Sequence, residues 1–424
     1  MKKILVVSYF SPPCARSGVH RILRMAEYLP QFGWEPIFLT VRNGYWSRYY
    51  RIDERLNNLV KPFKTYKTSY LFPFKKGGNS LFKRLARRIW GEIMIPDGYV
   101  AWVPFAVKQG IKIIRDERPE AIFVTGTPFS SFLIGYFLKK KTGLPLFLDY
   151  RDPWTDNKYS VNRWKDFLCK YLEYKILKIA DLAFAATPHM MHYILKGKNR
   201  IFVSRFRVLT YSFSKRHFNF QLDNAPNKND DKFTVTYAGA GGFGYRPANF
   251  FCALKLLTDI HPDLANKIKF NSYGSFVGLS DKVRIAELIR QYKLDIAIEL
   301  LSFLPYRDVL ERLRNANILL LPLYGDEVTK VVYPGKFFDY LGVRRPILYL
   351  GPKGQVWETI EKAKTGICVD PENPEEIAEA IYGLYQKYYV RKEPFTPDEK
   401  EIMKFESEHV IGQFVKDIEE VLKN

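Results

Sequence analysis

Lys336 and Asp339 stand three residues apart, directly after Tyr333-Pro334-Gly335. On a helix that spacing is close to one turn, so the two side chains could serve one ligand. The free N–H groups and positive dipole end of a helix attract a phosphate or diphosphate, and Lys336 adds a full charge there. Asp339, a turn further in, could accept hydrogen bonds from sugar hydroxyls. The frame is legible around them. Tyr333-Pro334-Gly335 breaks the preceding segment, Lys336 to Leu341 forms a short helix, Gly342 ends it, and Pro346 to Leu350 runs as an apolar strand. The same pattern also fits an ordinary α/β turn with a capped helix.

Other constellations could carry chemistry. Ala238-Gly239-Ala240-Gly241-Gly242-Phe243-Gly244 follows an apolar strand and contains Gly-x-Gly-x-x-Gly, with Asp259 further on. Taken alone it suggests a dinucleotide site and a nucleotide-dependent oxidoreductase. Tyr245-Arg246-Pro247 delays the following helix, which weakens that signal. Asp149-Tyr150-Arg151-Asp152-Pro153-Trp154 puts two acids and an arginine at the carboxyl end of a strand, the edge where open α/β sheets bind ligands. There Arg151 either faces a ligand or organises the loop through an ion pair. Thr125-Gly126-Thr127-Pro128, followed by Ser130 and Ser131, brings hydroxyls to a helix start.

Pro334-Gly335-Lys336-Phe337-Phe338-Asp339-Tyr340-Leu341, followed by Arg344-Arg345-Pro346-Ile347-Leu348, resembles the nucleotide-sugar site of GT-B fold glycosyltransferases, in particular glycosyltransferase family 4. The resemblance implies that Asp339 holds the donor ribose, and that Tyr333, Pro334 and Gly335 belong to the loop cradling diphosphate and sugar. In that family a second acid eight positions upstream touches the sugar. Val331 stands there in this chain, and Asp326 or Glu327 is the candidate substitute. The loop with Gly239 and Gly241 takes the place of the family's diphosphate-binding loop, and Arg246 matches the later of its basic positions. Gly18 matches the glycine of the N-terminal loop, which lets backbone approach the ligand closely. Thr127, Arg151 and Asp152 would face the cleft, with Asp152 near the transferred sugar. The loop ending at Tyr306 would read the nucleobase. The implied catalytic set is Asp152, Arg246 and Lys336, with no metal and no cofactor beyond the nucleotide-diphosphate sugar itself. The basic residues would offset charge growing on the leaving group, and the leaving phosphate would take the acceptor proton with retention at the anomeric carbon.

These residues need two doubly wound supports. Apolar strand signatures occur at Ile4–Tyr9, Pro36–Thr40, Ala121–Thr125, Leu146–Tyr150 and Leu182–Ala186. A second series runs through Phe233–Tyr237, Ile268–Ser272, Ile296–Leu300, Ile318–Pro322, Ile347–Leu350 and Gly366–Val369. Helical patterns lie between many of them, among them Val19–Phe32 with Ile22, Leu23, Ala26 and Leu29 on one face. The expected fold is α/β, a GT-B architecture of two Rossmann-like domains facing a cleft. The expected boundaries are an acceptor-binding domain over 1–212, a polar linker over 213–232 and a nucleotide-sugar domain over 233–395. A helix over 396–424 would cross back to the first domain.

A chain of 424 residues with 47 % hydrophobic residues can bury two cores. Its four cysteines have no metal-ligand spacing, which favours reduced thiols in the cytoplasm. The opening Met-Lys-Lys-Ile-Leu-Val-Val-Ser reads as a first strand and not as a leader. Net charge is +21, but residues 1–220 hold 39 Lys and Arg against 15 Asp and Glu, so the excess belongs to the first half. Such a field suits an anionic membrane, a nucleic acid or a phosphorylated small molecule. Over Ser80–Ile95, Leu81, Phe82, Leu85, Ile89, Trp90 and Ile93 share one helical side, with Lys83, Arg84, Arg87 and Arg88 on the other. This segment would lie on the inner face of the cell membrane, or else pack on the core with a solvated basic face. A nucleic-acid-binding protein is the rival that the charge allows, but no recognition module is readable, so no nucleic-acid partner is expected. The function expected is transfer of a sugar from a nucleotide sugar to a membrane-associated, lipid-linked or glycan acceptor in cell-surface polysaccharide synthesis.

Overall fold

The computed structural model describes residues 1–16, 18–42, 52–70, 93–155, 163–218, 232–239, 247–273, 287–294, 296–301, 304–324 and 327–423. Contacts divide the chain into two units, Met1–Tyr211 with Ser407–Asn424, and Ser212–Glu406.

In the first unit, seven parallel strands form one sheet. They are β1 (Lys2–Val7), β2 (Trp34–Val41), β3 (Thr65–Thr68), β4 (Ala121–Gly126), β5 (Leu146–Tyr150), β6 (Leu182–Ala185) and β7 (Phe206–Val208), in the order β3-β2-β1-β4-β5-β6-β7. β1 lies between β2 and β4, with Ile4 opposite both Pro36 and Ala121. The central strands read as apolar runs because helices cover both faces of a parallel sheet. The edge strands β3 and β7 carry no such run, and the sequence does not announce them. The helix expected over Val19–Phe32 stops at Tyr28 and tightens into a 3₁₀ turn over Leu29–Phe32, closed by Gly33 at φ 79°. Glycine suits that left-handed position.

The expected terminal helix breaks in two, Glu399–Met403 and Ser407–Lys423. At the break, Phe405 turns into the second unit against Tyr333 and Phe338, at ring distances of 5.9 and 5.7 Å. Ser407–Lys423 belongs to the first unit, where Phe414 packs on Phe123 and Phe184, each at 5.2 Å. Glu419 holds Lys2 at 2.9 Å and accepts from the Trp34 indole at 3.2 Å. The C-terminal helix thus crosses back to the first domain, as expected.

The second unit carries six parallel strands, β8 (Phe233–Ala238), β9 (Ile268–Tyr273), β10 (Ala297–Leu301), β11 (Ile318–Pro322), β12 (Ile347–Leu350) and β13 (Gly366–Val369), in the order β10-β9-β8-β11-β12-β13. Its core joins Phe233, Phe250, Phe251 and Phe270 to Ile318, Leu348 and Ile377, all fully buried. Both sheets reverse their winding beside their first strand, between β1 and β4 and between β8 and β11. At such a point the loops diverge and leave a crevice for ligands. The two doubly wound parallel sheets bear out the expected α/β fold class.

One local expectation fails instructively. Gly342 does not end the helix that starts at Lys336. That helix runs to Val343 and is closed by Arg344 in the left-handed region, φ 56°. Gly342 is glycine for packing, since a Cβ there would sit 2.3 Å from the Phe218 ring.

Candidate functional site

At the winding reversal of the second sheet, β8 ends at Ala238 and β11 at Pro322, and the helix Lys336–Val343 is tied to both. Tyr340 does the tying. Its hydroxyl accepts from the Ala238 N–H at 3.0 Å and donates to the Leu320 carbonyl at 3.1 Å. The helix start is therefore held beside the loop that leaves β8. Lys336 Nζ donates to the Tyr237 hydroxyl at 2.7 Å and lies 4.0 Å from that ring's centroid. A Cβ on Gly239 would stand 2.4 Å from the same ammonium, so glycine lets lysine and backbone meet.

Lys336 is half-buried as a residue, but its ammonium end is packed among protein atoms. Desolvation lowers its pKa from 10.5 to about 7, with no carboxylate opposing that among the described residues. A cation held on a tyrosine face and not on a carboxylate is short of negative charge. An anion arriving at this helix start would supply it.

One turn along, Asp339 accepts from the Tyr306 hydroxyl at 2.6 Å, and the His217 ring meets Tyr306 edge-on at 5.8 Å. Tyr306 opens the helix Tyr306–Arg314, which follows β10. Lys336, Asp339, Tyr306 and Gly239 are thus brought to one sheet edge. Pro334 and Gly335 form the turn into the helix, the Pro334 carbonyl accepting from the Phe337 N–H at 2.9 Å. Tyr333 points inward: its hydroxyl is 2.7 Å from that of Thr359 and accepts from Gln355 at 2.9 Å, and its ring stacks on Phe337 at 5.4 Å. Glu327 is exposed and pairs with Lys330 at 2.7 Å within its own short helix. Gly241, Arg246 and Asp326 lie outside the described residues, as does most of Ser80–Ile95.

The first unit gathers a second cluster at its own winding reversal. Arg151 donates from Nε to the Gly126 carbonyl and from Nη2 to the Thr127 carbonyl. A Cβ on Gly18 would fall 1.6 Å from Arg151 Nη1. One guanidinium therefore joins the loops after β1, β4 and β5, and only glycine at 18 leaves it room. Asp152 is exposed beside it and accepts from the Thr127 hydroxyl at 3.2 Å.

The ion pair of this loop is a different one. Asp149, fully buried, pairs with Arg21 Nε at 3.1 Å and accepts from Thr125 at 2.8 Å, while Arg21 donates to the carbonyls of Leu209 and Thr210 at 2.7 and 2.6 Å. The helix start at Ser130 carries an internal carboxylate. Asp97 accepts from the Ser130 N–H at 3.0 Å and from its hydroxyl at 2.5 Å. Burial raises the Asp97 pKa, opposed by those Ser130 hydrogen bonds. His20, beside Gly18, is kept neutral: desolvation and then Arg24 lower its pKa to about 3.

Sequence reasoning missed Tyr237, Tyr340, Asp97 and Arg21. Tyrosines in strands and helices look like core, and Asp97 acts on an element 33 residues away. No local signal marks any of them.

Residues 251–387 match the family model described as Glycosyl transferases group 1, a stretch that includes Tyr306, Lys336 and Asp339. Similar solved structures cover nearly the whole chain. HepE of Anabaena in complex with UDP aligns at a TM-score of 0.69 with 10 % identity, covering 99 % of this chain and 100 % of its own. Sucrose-phosphate synthase of Thermosynechococcus elongatus aligns at 0.66 with 15 % identity, covering 99 % of each chain. Comparison with curated proteins finds no match. Over residues 251–387 the chain thus matches a glycosyltransferase family model, and its fold is the one shared by these GT-B glycosyltransferase structures. The matched segment spans β9 to β13 and the Lys336 helix. Among the chain's described residues, no helix is long and apolar enough to cross a membrane.

Proposed function

We propose that this glycosyltransferase binds a nucleotide-diphosphate sugar at the Lys336 helix and passes the sugar, with retention, to a lipid-linked acceptor at a membrane surface. The observation that carries the donor half is the Lys336 ammonium, desolvated beside Gly239 and held by Tyr237 with no described carboxylate. A donor diphosphate there would be held by Lys336 and the helix N–H groups, with Arg246 as a further cation. Asp339 would take ribose hydroxyls while Tyr306 fixes its carboxylate. HepE has been seen with UDP-glucose and shares the fold, which makes UDP-glucose the first donor to try.

In the first unit, Asp152 and the Arg151-ordered loops would position the sugar or its acceptor. The basic excess of the first half suits an acceptor carrying phosphate or pyrophosphate in a membrane. The reaction then serves cell-surface glycan synthesis, with the enzyme peripheral on the cytoplasmic leaflet.

The test is transfer of labelled sugar from a panel of nucleotide sugars to polyprenyl phosphate, polyprenyl pyrophosphate and soluble glycan acceptors, with the anomeric configuration of the product read by NMR. Transfer to a polyprenyl acceptor with retention is expected and should fall at least tenfold, about 1.4 kcal/mol, in Lys336→Gln. Transfer to soluble sugars alone would refute the acceptor class, and inversion would refute the mechanism.

A further inference from the structure

The helix Arg163–Ile179 turns an aromatic stripe toward solvent. Trp164, Phe167, Leu168 and Tyr171 are spaced i, i+3, i+4 and i+7, which puts them on one face, and they are 77, 63, 38 and 53 % exposed. The opposite face is the one that packs, with Ile176 and Leu177 buried and Cys169 buried 4.0 Å from the Pro96 carbonyl. The stripe continues into charge: Lys175 and Lys178 extend the same face, both exposed, and Lys175 lies 5.3 Å from the Tyr171 ring centroid. The segment Gly197–Arg205 packs beside this helix through Phe202 on Tyr174 at 5.5 Å, and it exposes Ile201 and Val203. Four bulky side chains in two turns are more than the scattered surface apolar residues of an ordinary helix.

We propose that this face is a membrane-docking surface, distinct from Ser80–Ile95, which seats the first unit on an anionic bilayer. The chemistry of the stripe selects the occupant. Tryptophan and tyrosine settle at the level of lipid headgroups, phenylalanine and leucine go just below, and lysines continuing the stripe meet the headgroup phosphates. The charge of the surrounding half, 39 basic residues against 15 acidic over 1–220, favours a negative partner and opposes docking of a second copy. The proposal rests only in part on the acceptor reading above: a bilayer would be the place of a lipid-linked acceptor, but docking needs no acceptor.

Vesicle sedimentation tests it, using full-length protein without donor and vesicles of phosphatidylcholine with or without phosphatidylglycerol. Trp164→Ser with Phe167→Ser and Tyr171→Ser should weaken binding to anionic vesicles roughly tenfold or more and remove the part that survives high salt. Lys175→Gln with Lys178→Gln should remove only salt-sensitive binding. All five sites are exposed, so both variants should keep the parent's melting temperature and nucleotide affinity, which checks that they fold. In the native protein, brominated lipid should quench tryptophan fluorescence, and Trp164→Phe should lose much of that quenching. Vesicle binding by the triple variant equal to the parent's would overturn the proposal. So would concentration-dependent dimers that the triple variant abolishes, since the stripe would then bind a second copy. Because binding is read without donor, either result leaves glycosyl transfer standing.

Discussion

Replacing Lys336 should make the protein more stable and less able to bind its donor. Desolvation holds the ammonium at a pKa of about 7 against an ordinary 10.5. Taken at face value, that depression sets about 4–5 kcal/mol against the charged form in the folded state. The residue keeps part of its exposure, so solvent screening brings the figure to about 1–2 kcal/mol. The sign follows from proton counting. Below pH 7 both folded and unfolded chains hold the proton and the folded state carries the whole penalty. Between 7 and 10.5 the unfolded chain holds the proton while the folded one has released it, so this group makes stability rise with pH across that window. Lys336→Met, which keeps the stem and removes the charge, should therefore raise the melting temperature near neutral pH and flatten this contribution above it. A bound diphosphate does the reverse and favours the ammonium. Above pH 7 the free enzyme must take up a proton to bind, and affinity should fall by up to about tenfold per pH unit until the raised pKa of the complex is reached. Calorimetry with a nucleotide sugar, in buffers of different ionisation enthalpy, measures both quantities. A nucleotide sugar is the right ligand because its diphosphate lacks the terminal phosphate group that titrates near pH 6. At neutral pH the substitution should weaken binding by about 1.5–3 kcal/mol, the range for a hydrogen bond to a charged group. Affinity flat from pH 6.5 to 9 with no proton uptake, or a Met variant that binds like the parent, would refute the reasoning.

Other perturbations have equally direct readings. Asp339→Asn removes the charge but keeps an acceptor for the Tyr306 hydroxyl, now at 2.6 Å; nucleotide affinity by titration calorimetry should drop by about 1.5–3 kcal/mol, with little change in melting temperature. Gly342→Ala pushes a methyl into the Phe218 ring, 2.3 Å from its nearest atom; it should cost about 1–3 kcal/mol of stability in denaturant unfolding. Glu117 accepts from Lys64, Tyr66 and Lys3 at 2.7, 2.8 and 3.2 Å, and those bonds, led by Lys64, hold its pKa at about 2 against 4.5. Its folded pKa lies below the unfolded one, so its contribution is complete above about pH 4.5 and lost as pH falls toward 2. Glu117→Gln should accordingly be less stable than the parent at pH 6, with the gap closing as the pH is lowered.

What the sequence disclosed depended on whether the physics was local. β5, β11 and β12 are legible to the residue because a strand buried throughout is a largely apolar run ended by turn residues, and β13, a sheet edge, because its short apolar stretch stands between a glycine and a turn. β3, Thr-Tyr-Lys-Thr, and β7, Phe-Arg-Val, are edge strands of three or four residues, and nothing in their composition separates them from loop. The Lys336–Asp339 pair was visible because one helical turn joins its members. Of its partners, Tyr306, 33 residues away, was marked only through the family resemblance, and Tyr237, 99 residues away along the chain, was not marked at all.

The buried charges show the same limit and bear on function. Helical spacing marks Ile22, Leu23, Ala26 and Leu29 as the inner face of their helix and would leave Arg21 and Arg24 in solvent, yet both arginines are buried. Arg24 is neutralised by Glu27, three residues on and 3.1 Å away, and Arg21 by Asp149 at the end of β5. A buried charge lacking its partner is strongly destabilising, so Arg21 and Arg24 each come with a carboxylate, while Arg151 and Arg345, also buried, donate to backbone carbonyls. Lys336 differs from all four in its partner, a tyrosine hydroxyl. Its ammonium is the one in the second unit's site that sits on an aromatic face with no described carboxylate against it, although Asp339 stands on the same helix and is hydrogen-bonded by Tyr306. That lysine, held by a tyrosine hydroxyl and an aromatic face, is the physical ground on which we propose the helix start as the place of a donor diphosphate.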